Sequence, residues 1–319
     1  MLGKKQFKTI IDLVRVFPDE HSCHQYLASQ RWDDGVIECP FDGCGSDRAY
    51  VFADGIRYKC CKCKRKFTAK TGTFMEASKL PTIKWLMAMY LVLHKKGVSS
   101  IQLGKDIGVT QKTAWFVLQR VRWALGNESE EMLEGTVEID ETFVGGKSRF
   151  KHKNKRVKYN PGREWPDKTP VFGMLRRSEY DKMGNLVPAR VKALAMHNVQ
   201  MLTITKAVRK HVKIGSHLMG DGFIAYRVLE NQFKLSSVDH STGFYVDGDS
   251  HTNTIEGFWS QFKKGICAIY HKTTRKHLNK YVQEFAFKYN YRNLGAQQQI
   301  EQVIVQMNCR LKYKDLIAA

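Results

Sequence analysis

The sequence predicts an α/β fold, with a small cysteine-rich module and a helical module ahead of the main sheet. Three observations carry that expectation. Strands with two-residue alternation and helices with 3.6-residue periodicity succeed one another between residues 135 and 310. Two pairs of cysteines lie on tight turns within residues 36–70. Residues 78–126 read as three helices broken at glycines.

The chain has 319 residues, enough for about two domains and an appended module. Its 17 Phe, 13 Tyr and 6 Trp exclude disorder as the main state. Lys and Arg total 52 against 31 acids, a net charge of +21. A field that positive attracts polyanions, so nucleic acid is the leading partner class and an anionic membrane surface the second. A small-molecule substrate is not expected. No apolar run approaches the roughly 20 residues that a membrane-spanning helix needs. The longest, Trp85–Leu93, fits a buried helix. The first residues lack the apolar stretch of a secretory signal, so a reducing cytoplasm is the expected compartment. Cysteines are then metal ligands or free thiols before they are disulfides.

Residues 1–35 read as helical, with Ile10, Ile11, Leu13, Val14 and Val16 apolar. The cysteines of 36–70 are Cys39 and Cys44, then Cys60, Cys61 and Cys63. Two knuckles supplying two thiolates each would satisfy tetrahedral Zn²⁺. Cys39, Cys44, Cys60 and Cys63 form the best quartet, with Cys61 the substitute for Cys60. About 35 residues bury too little surface to fold unaided, so such a metal would hold the module. Arg48, Arg57, Lys59, Lys62, Lys64, Arg65 and Lys66 make a DNA-facing edge at least as reasonable as a merely solvated one. Cys23, Cys267 and Cys309 are expected as core thiols.

In 78–126, Pro81 opens a helix carrying Trp85, Leu86, Met89, Tyr90 and Leu93, and Gly97 ends it. A second helix follows Ser99, the chain turns at Gly108, and Thr110 caps a third. Ala114, Val117, Leu118, Val121 and Leu125 form its inner face. Gln111, Lys112 and Thr113 lie at its exposed start, where the recognition helix of a helix–turn–helix meets DNA.

Strands are expected from Val137, at Thr169–Arg176, at Val191–Met196 and from His217 to Asp221, with a helix at Leu202–Val212. Asp140 lies mid-strand beside two further acids, although Asp is depleted in strands. Asp221 ends a strand between two glycines. Farther on, Asn253, Glu256, Ser260 and Lys263 share one helical face, while Ile255, Phe258, Trp259, Phe262 and Ile266 share another. The apolar face docks on the sheet, and the polar face turns Glu256 toward the space bordered by Asp140 and Asp221. Three converging acids repel, and Mg²⁺ relieves that repulsion. Two such ions about 4 Å apart serve phosphoryl transfer.

The blocks Val137–Lys147, Gly220–Gly222 and His251–Trp259 resemble the catalytic blocks of bacterial insertion-sequence transposases related to the Merlin group. The likeness continues through Tyr270-His271, His277-Leu278, Tyr281 and Glu284–Arg292. In the front half it includes Arg31-Trp32, Cys39-Pro40, the zinc ribbon and Thr71–Thr73. The resemblance implies an RNase H-like DDE domain that uses Mg²⁺ or Mn²⁺ to cut and rejoin transposon ends. It implies Asp140 and Asp221 as the first two acids and Glu256 as the third, with 34 residues between the last two. Lys263 fits the basic residue that follows on the same helix. Part of the group assigns the third position to the Asn of a His-x-Asn motif, here Asn253, with His251 near the attacked phosphate. A charged oxygen holds Mg²⁺ better than an amide does, which favours Glu256.

Residues 147–168 form a basic insertion. Lys147, Arg149, Lys151, Lys153 and Lys155 alternate along it, and in an extended chain would point one way about 6.6 Å apart. A phosphate backbone suits that comb. The expected function is therefore a DNA transposase acting as a dimer or larger assembly on transposon ends and target DNA, associated with the nucleoid. A DNA-binding regulator with a dead catalytic domain and a plain metal-dependent nuclease are the rivals.

Overall fold

The computed structural model describes residues 6–32, 35–94, 96–127, 131–146, 152–153, 168–220, 224–237, 252–308 and 310–318. They divide into two units, Met1–Glu128 with Tyr291–Ala319, and Ser129–Asn290.

In the first unit, side-chain caps set the helix starts. Thr9 and Asp12 form a capping box ahead of α1 (Ile10–Val16), and Asp19 accepts from Ser22 N at the start of α2 (Glu20–Arg31). Next come β1 (Ala49–Val51), β2 (Arg57–Cys60) and β3 (Lys66–Thr68), an antiparallel three-stranded sheet. Tyr58 and Phe67 pair across it and stack with rings 5.6 Å apart, and Trp32 meets both rings edge-on. Arg31 donates to Ala69 O at 2.8 Å and Thr71 O at 2.6 Å. The Arg31-Trp32 pair thus ties the ribbon to α2.

α3 (Thr82–Leu93) buries Trp85, Leu86, Met89 and Leu93. α4 (Ser100–Asp106) is capped by Ser99, and α5 (Gln111–Leu125) by Thr110, whose hydroxyl accepts from Thr113 N at 3.2 Å. Between α4 and α5, Gly108 adopts φ +61°, a left-handed turn that glycine tolerates without cost. Ala114, Val117, Leu118, Val121 and Leu125 are all buried. This is a helix–turn–helix.

The second unit is a mixed five-stranded sheet. Its chain order is β4 (Thr136–Gly145), β5 (Lys168–Arg176), a small hairpin of β6 (Glu179–Tyr180) and β7 (Leu186–Val187), β8 (Arg190–Ala195), α6 (Met201–His211), β9 (His217–Gly220), a 3₁₀ turn (Ile224–Leu229), β10 (Lys234–Ser237), α7 (Asn253–Gly265) and α8 (Arg275–Asn290). In space the strands run β10-β9-β4-β5-β8. β5 is antiparallel to β4 and β8, whereas β9 and β10 are parallel to β4. A meander followed by parallel strands added on the other side of the first strand is the RNase H-like arrangement.

Alternation assigns the faces. Val137, Ile139, Phe172 and Met174 join Ile204 and Val208 of α6 in one core. Val171, Leu175, Val191 and Ala193 join Ile255, Phe258, Phe262, Val282 and Phe285 of α7 and α8 in the other. Each buried Val, Leu, Ile, Phe or Met among them contributes roughly 1.5–3 kcal/mol. The second face of β4 is the one that carries Glu138 and Asp140.

β8 is an edge strand, and α8 covers its open backbone with amide side chains. Val191 N donates to Asn290 Oδ1 at 2.7 Å, and Asn290 Nδ2 donates back to Val191 O at 3.0 Å. Gln283 Nε2 donates to Ala193 O at 2.9 Å, and Ala195 N to Asn279 Oδ1 at 3.0 Å. Polar groups that would template another strand are thereby paired within the chain.

The chain then returns to the first unit. α9 (Ala296–Val305) buries Ile300, Val303 and Ile304 and packs on α2 and α3, Phe74 N donates to Met307 O at 3.1 Å, and α10 (Tyr313–Ile317) follows. The sequence assigns residues up to 310 to the sheet domain, whereas the sheet unit ends at Asn290. The apolar stripe of α9 makes it a buried helix but does not say which surface it covers.

Candidate active site

Asp140 is half-buried near the middle of β4, opposite Gly173 of β5. Its Oδ1 accepts from Glu141 N at 2.8 Å, and its Oδ2 accepts from the indole N–H of Trp259 at 2.9 Å. On the other side of β4, Glu138 pairs with Met219 of β9, and Ile139 borders Gly220, the last residue of that strand. Asp221 itself lies outside the described residues, as does His251.

α7 is held to β4 at two levels. Glu138 is fully buried; its Oε2 accepts from Ile255 N at 2.8 Å, and its Oε1 takes the Arg177 guanidinium at 2.6 Å. One turn later Trp259 reaches Asp140. Ile255, Phe258, Trp259 and Phe262 are buried, whereas Asn253, Glu256, Ser260 and Lys263 are exposed, the two faces expected from the periodicity. Glu256 accepts a 3.4 Å bond from the Thr252 hydroxyl.

The acids flanking Asp140 are occupied differently. Glu138 is a structural anion, and Glu141 accepts from the Tyr226 hydroxyl at 2.6 Å. Sequence reasoning places Trp259 on the apolar face and passes over Glu138, Gly173 and Arg177. The two-residue spacing of Glu138 and Asp140 is the one local signal that both face α7.

In the ribbon, the Sγ atoms of Cys39, Cys44, Cys60 and Cys63 all lie within 4.8 Å of one another. Cys39 and Cys63 are 3.7 Å apart, and Cys44 and Cys60 3.6 Å. Tetrahedral zinc with bonds near 2.3 Å sets sulfur edges at about 3.8 Å, so the quartet fits Zn²⁺. The first knuckle has four intervening residues. It closes because Gly43 and Gly45 take φ +75° and +59°. At the second, burial opposes the Cys60 thiolate, but hydrogen bonds from the N–H groups of Cys63 and Lys62 and from the side chains of Ser46 and Cys44 together draw the thiol down to about 6. Cys61 lies outside that cluster, so it does not replace Cys60.

The strand register gathers one cationic face on the ribbon. Tyr50, Lys59 and Lys66 form one cross-strand row, and Arg57 lies two residues along from Lys59. Arg48, Tyr50, Arg57 and Lys66 are exposed.

At the helix–turn–helix, Gln111 and Lys112 are exposed and Thr113 is half-buried. They have local partners: Gln111 Nε2 donates to Ser100 Oγ at 3.0 Å, and the Lys112 ammonium lies 5.9 Å from the Tyr313 ring. Lys153 is exposed, whereas Lys147, Arg149, Lys151 and Lys155 lie outside the described residues. Cys23 is buried as expected. Cys267 is exposed, because the π-helical turn Ile266–Tyr270 that carries it buries Ile266 and leaves the next residue on its outer side. Cys309 lies outside the described residues.

Comparison with known proteins agrees with this geometry. Residues 132–290 match the model of the ISXO2-like transposase domain, and residues 18–66 match a transposase zinc-ribbon domain. A protein of the transposable element ISH50 from Halobacterium salinarum is 31% identical over 286 residues, which span 86% of this chain and 92% of that one. The chain belongs to the ISXO2-like transposase family. The matched ISXO2-like segment ends at Asn290, the last residue of the sheet unit. The four-cysteine cluster has the ligands of that family's zinc ribbon, and a transposase binds DNA. Among the described residues, no helix is long and apolar enough to cross a membrane.

Proposed function

We propose that this transposase binds the terminal inverted repeats of its element and there cuts and rejoins DNA, with Asp140, Asp221 and Glu256 holding Mg²⁺ or Mn²⁺. The carrying observation is the setting of Asp140. It faces α7, next to the strand that ends one residue before Asp221, on a helix–sheet joint fixed by Glu138 and Trp259.

The donor set suits a hard cation. A carboxylate has about four lone-pair positions, so accepting from Glu141 N and from the Trp259 indole N–H is compatible with also holding a cation. Glu256 is exposed, which suits an ion that retains several waters. Asn253, on the same exposed face, is the alternative third ligand. Divalent ions bound there would neutralise the phosphodiester and lower the pKa of the attacking oxygen. Lys263, seven residues after Glu256, would meet a non-bridging phosphate oxygen. Water is the first nucleophile and the freed 3′-hydroxyl the second, each attacking in line, with no covalent enzyme intermediate.

The ribbon's cationic face and the start of α5 would hold the ends, and the 147–168 insertion would run along the backbone. Holding two ends together calls for a dimer or larger complex, acting in the cytoplasm at the nucleoid.

Incubation with Mg²⁺, end-sequence DNA and a target plasmid tests the reading. Joined products are expected. Nicking without joining would make the protein a nuclease, and a mobility shift without cleavage would make it a regulator. Asp140→Ala and Asp221→Ala are each expected to abolish cleavage while end binding persists. Cleavage by either variant would refute the assignment. Glu256→Gln compared with Asn253→Ala identifies the third ligand.

A further inference from the structure

The carboxylate of Asp140 is gripped by a residue 119 positions away, in a pocket that only glycine permits. The Trp259 ring is buried, and its Nε1–H points at Asp140 Oδ2 at 2.9 Å. The floor beneath the ring is Gly173, the strand partner of Asp140. A Cβ added at Gly173 would lie 2.6 Å from Cζ2 and 2.9 Å from Cη2 of the indole, closer than real Cβ atoms come. Phe258 and Phe262 flank the ring, with centroids 5.0 and 6.0 Å from it. On the other oxygen, Glu141 N donates to Oδ1 at 2.8 Å. With the Trp259 N–H on one oxygen and the Glu141 N–H on the other, both χ1 and χ2 of this half-buried aspartate are restrained.

We propose that Trp259 is a positioning residue for the divalent-cation site, and that Gly173 is glycine so that the indole can reach Asp140. The inference rests on the reading of Asp140 as a cation ligand. An unrestrained aspartate must lose rotamer freedom when it binds an ion. Here the indole and the Glu141 N–H impose that order beforehand. Groups that orient metal ligands in this way typically change metal affinity by about 10–100-fold.

The test is Mn²⁺ titration of the zinc-loaded full-length chain by calorimetry, with thermal melting followed in parallel. Trp259→Phe keeps an aromatic filler and deletes the donor. Gly173→Ala keeps the indole and pushes it off Asp140. Each is expected to raise the Mn²⁺ dissociation constant by about tenfold or more in folded protein. Cleavage in each should recover at higher Mn²⁺. A role in packing alone would lower the melting temperature and leave Mn²⁺ affinity of the folded protein at the wild-type value. That result, in either variant, overturns the proposal. Asp140→Asn is the control for the underlying reading, and is expected to abolish Mn²⁺ binding. If it binds Mn²⁺ normally, Asp140 is no ligand and the proposal falls with that reading. If it loses binding while Trp259→Phe does not, the positioning role alone is wrong.

Discussion

At the scale of single residues, two acids at the joint between β4 and α7 have opposite fates. Glu138 is fully buried, paired with Arg177 and bonded to the backbone of α7, whereas Glu256 is exposed on that helix. Removing one partner of a buried ion pair strands the other charge. Glu138→Ala is therefore expected to destabilise the sheet unit by roughly 3–5 kcal/mol, read from urea unfolding. Glu256→Gln should change stability by no more than about 0.5 kcal/mol, because the side chain is exposed and the amide oxygen can still accept from the Thr252 hydroxyl. A Glu138→Ala variant as stable as wild type would show that the α7 joint does not depend on this acid.

At the scale of elements, the ribbon and the edge strand are each completed by groups that periodicity does not reveal. The ribbon has three short strands, and its quartet of thiols replaces the core that so few residues cannot supply. Cys63→Ser is expected to release zinc, measured by metal analysis, and to weaken end binding with it. A zinc-free variant that binds the ends normally would separate the ribbon from recognition. On β8, Asn290 satisfies both the N–H and the carbonyl of Val191. Asn290→Leu leaves both unpaired, and each buried orphan costs about 1–3 kcal/mol. A lower midpoint of chemical unfolding should follow, together with faster amide exchange at Val191.

At the scale of the whole molecule, charge governs affinity. With 52 basic residues against 31 acids, binding to DNA should be driven by counterion release. Affinity should fall linearly on logarithmic axes as salt rises. If Arg48, Lys59 and Lys66 each meet a phosphate, replacing all three with Gln reduces the slope by about 2–3, near 0.9 per contact. An unchanged slope would place the DNA elsewhere. The chain path matters at this scale too. Tyr291–Ala319 belongs with the N-terminal unit, where α9 buries Ile300, Val303 and Ile304.

Much of this molecule was legible from short stretches. The alternation of β4, the caps and Gly108 turn of the helix–turn–helix, and the two-faced pattern of α7 depend on backbone sterics and on periods of two or 3.6 residues. Those causes act over a few positions, so the residues themselves carry them. The cysteine quartet was legible because tetrahedral thiolate chemistry tolerates few spacings. What only the tertiary structure decided is which groups meet across long separations. Glu138 and Ile255 are 117 residues apart, and Trp259 finds Asp140 across 119. Those meetings follow from strand register and from the absence of a side chain at Gly173, and neither leaves a periodic trace. The destination of α9 is the same kind of fact: an apolar stripe demands burial, but the surface that supplies it is chosen by the fold as a whole.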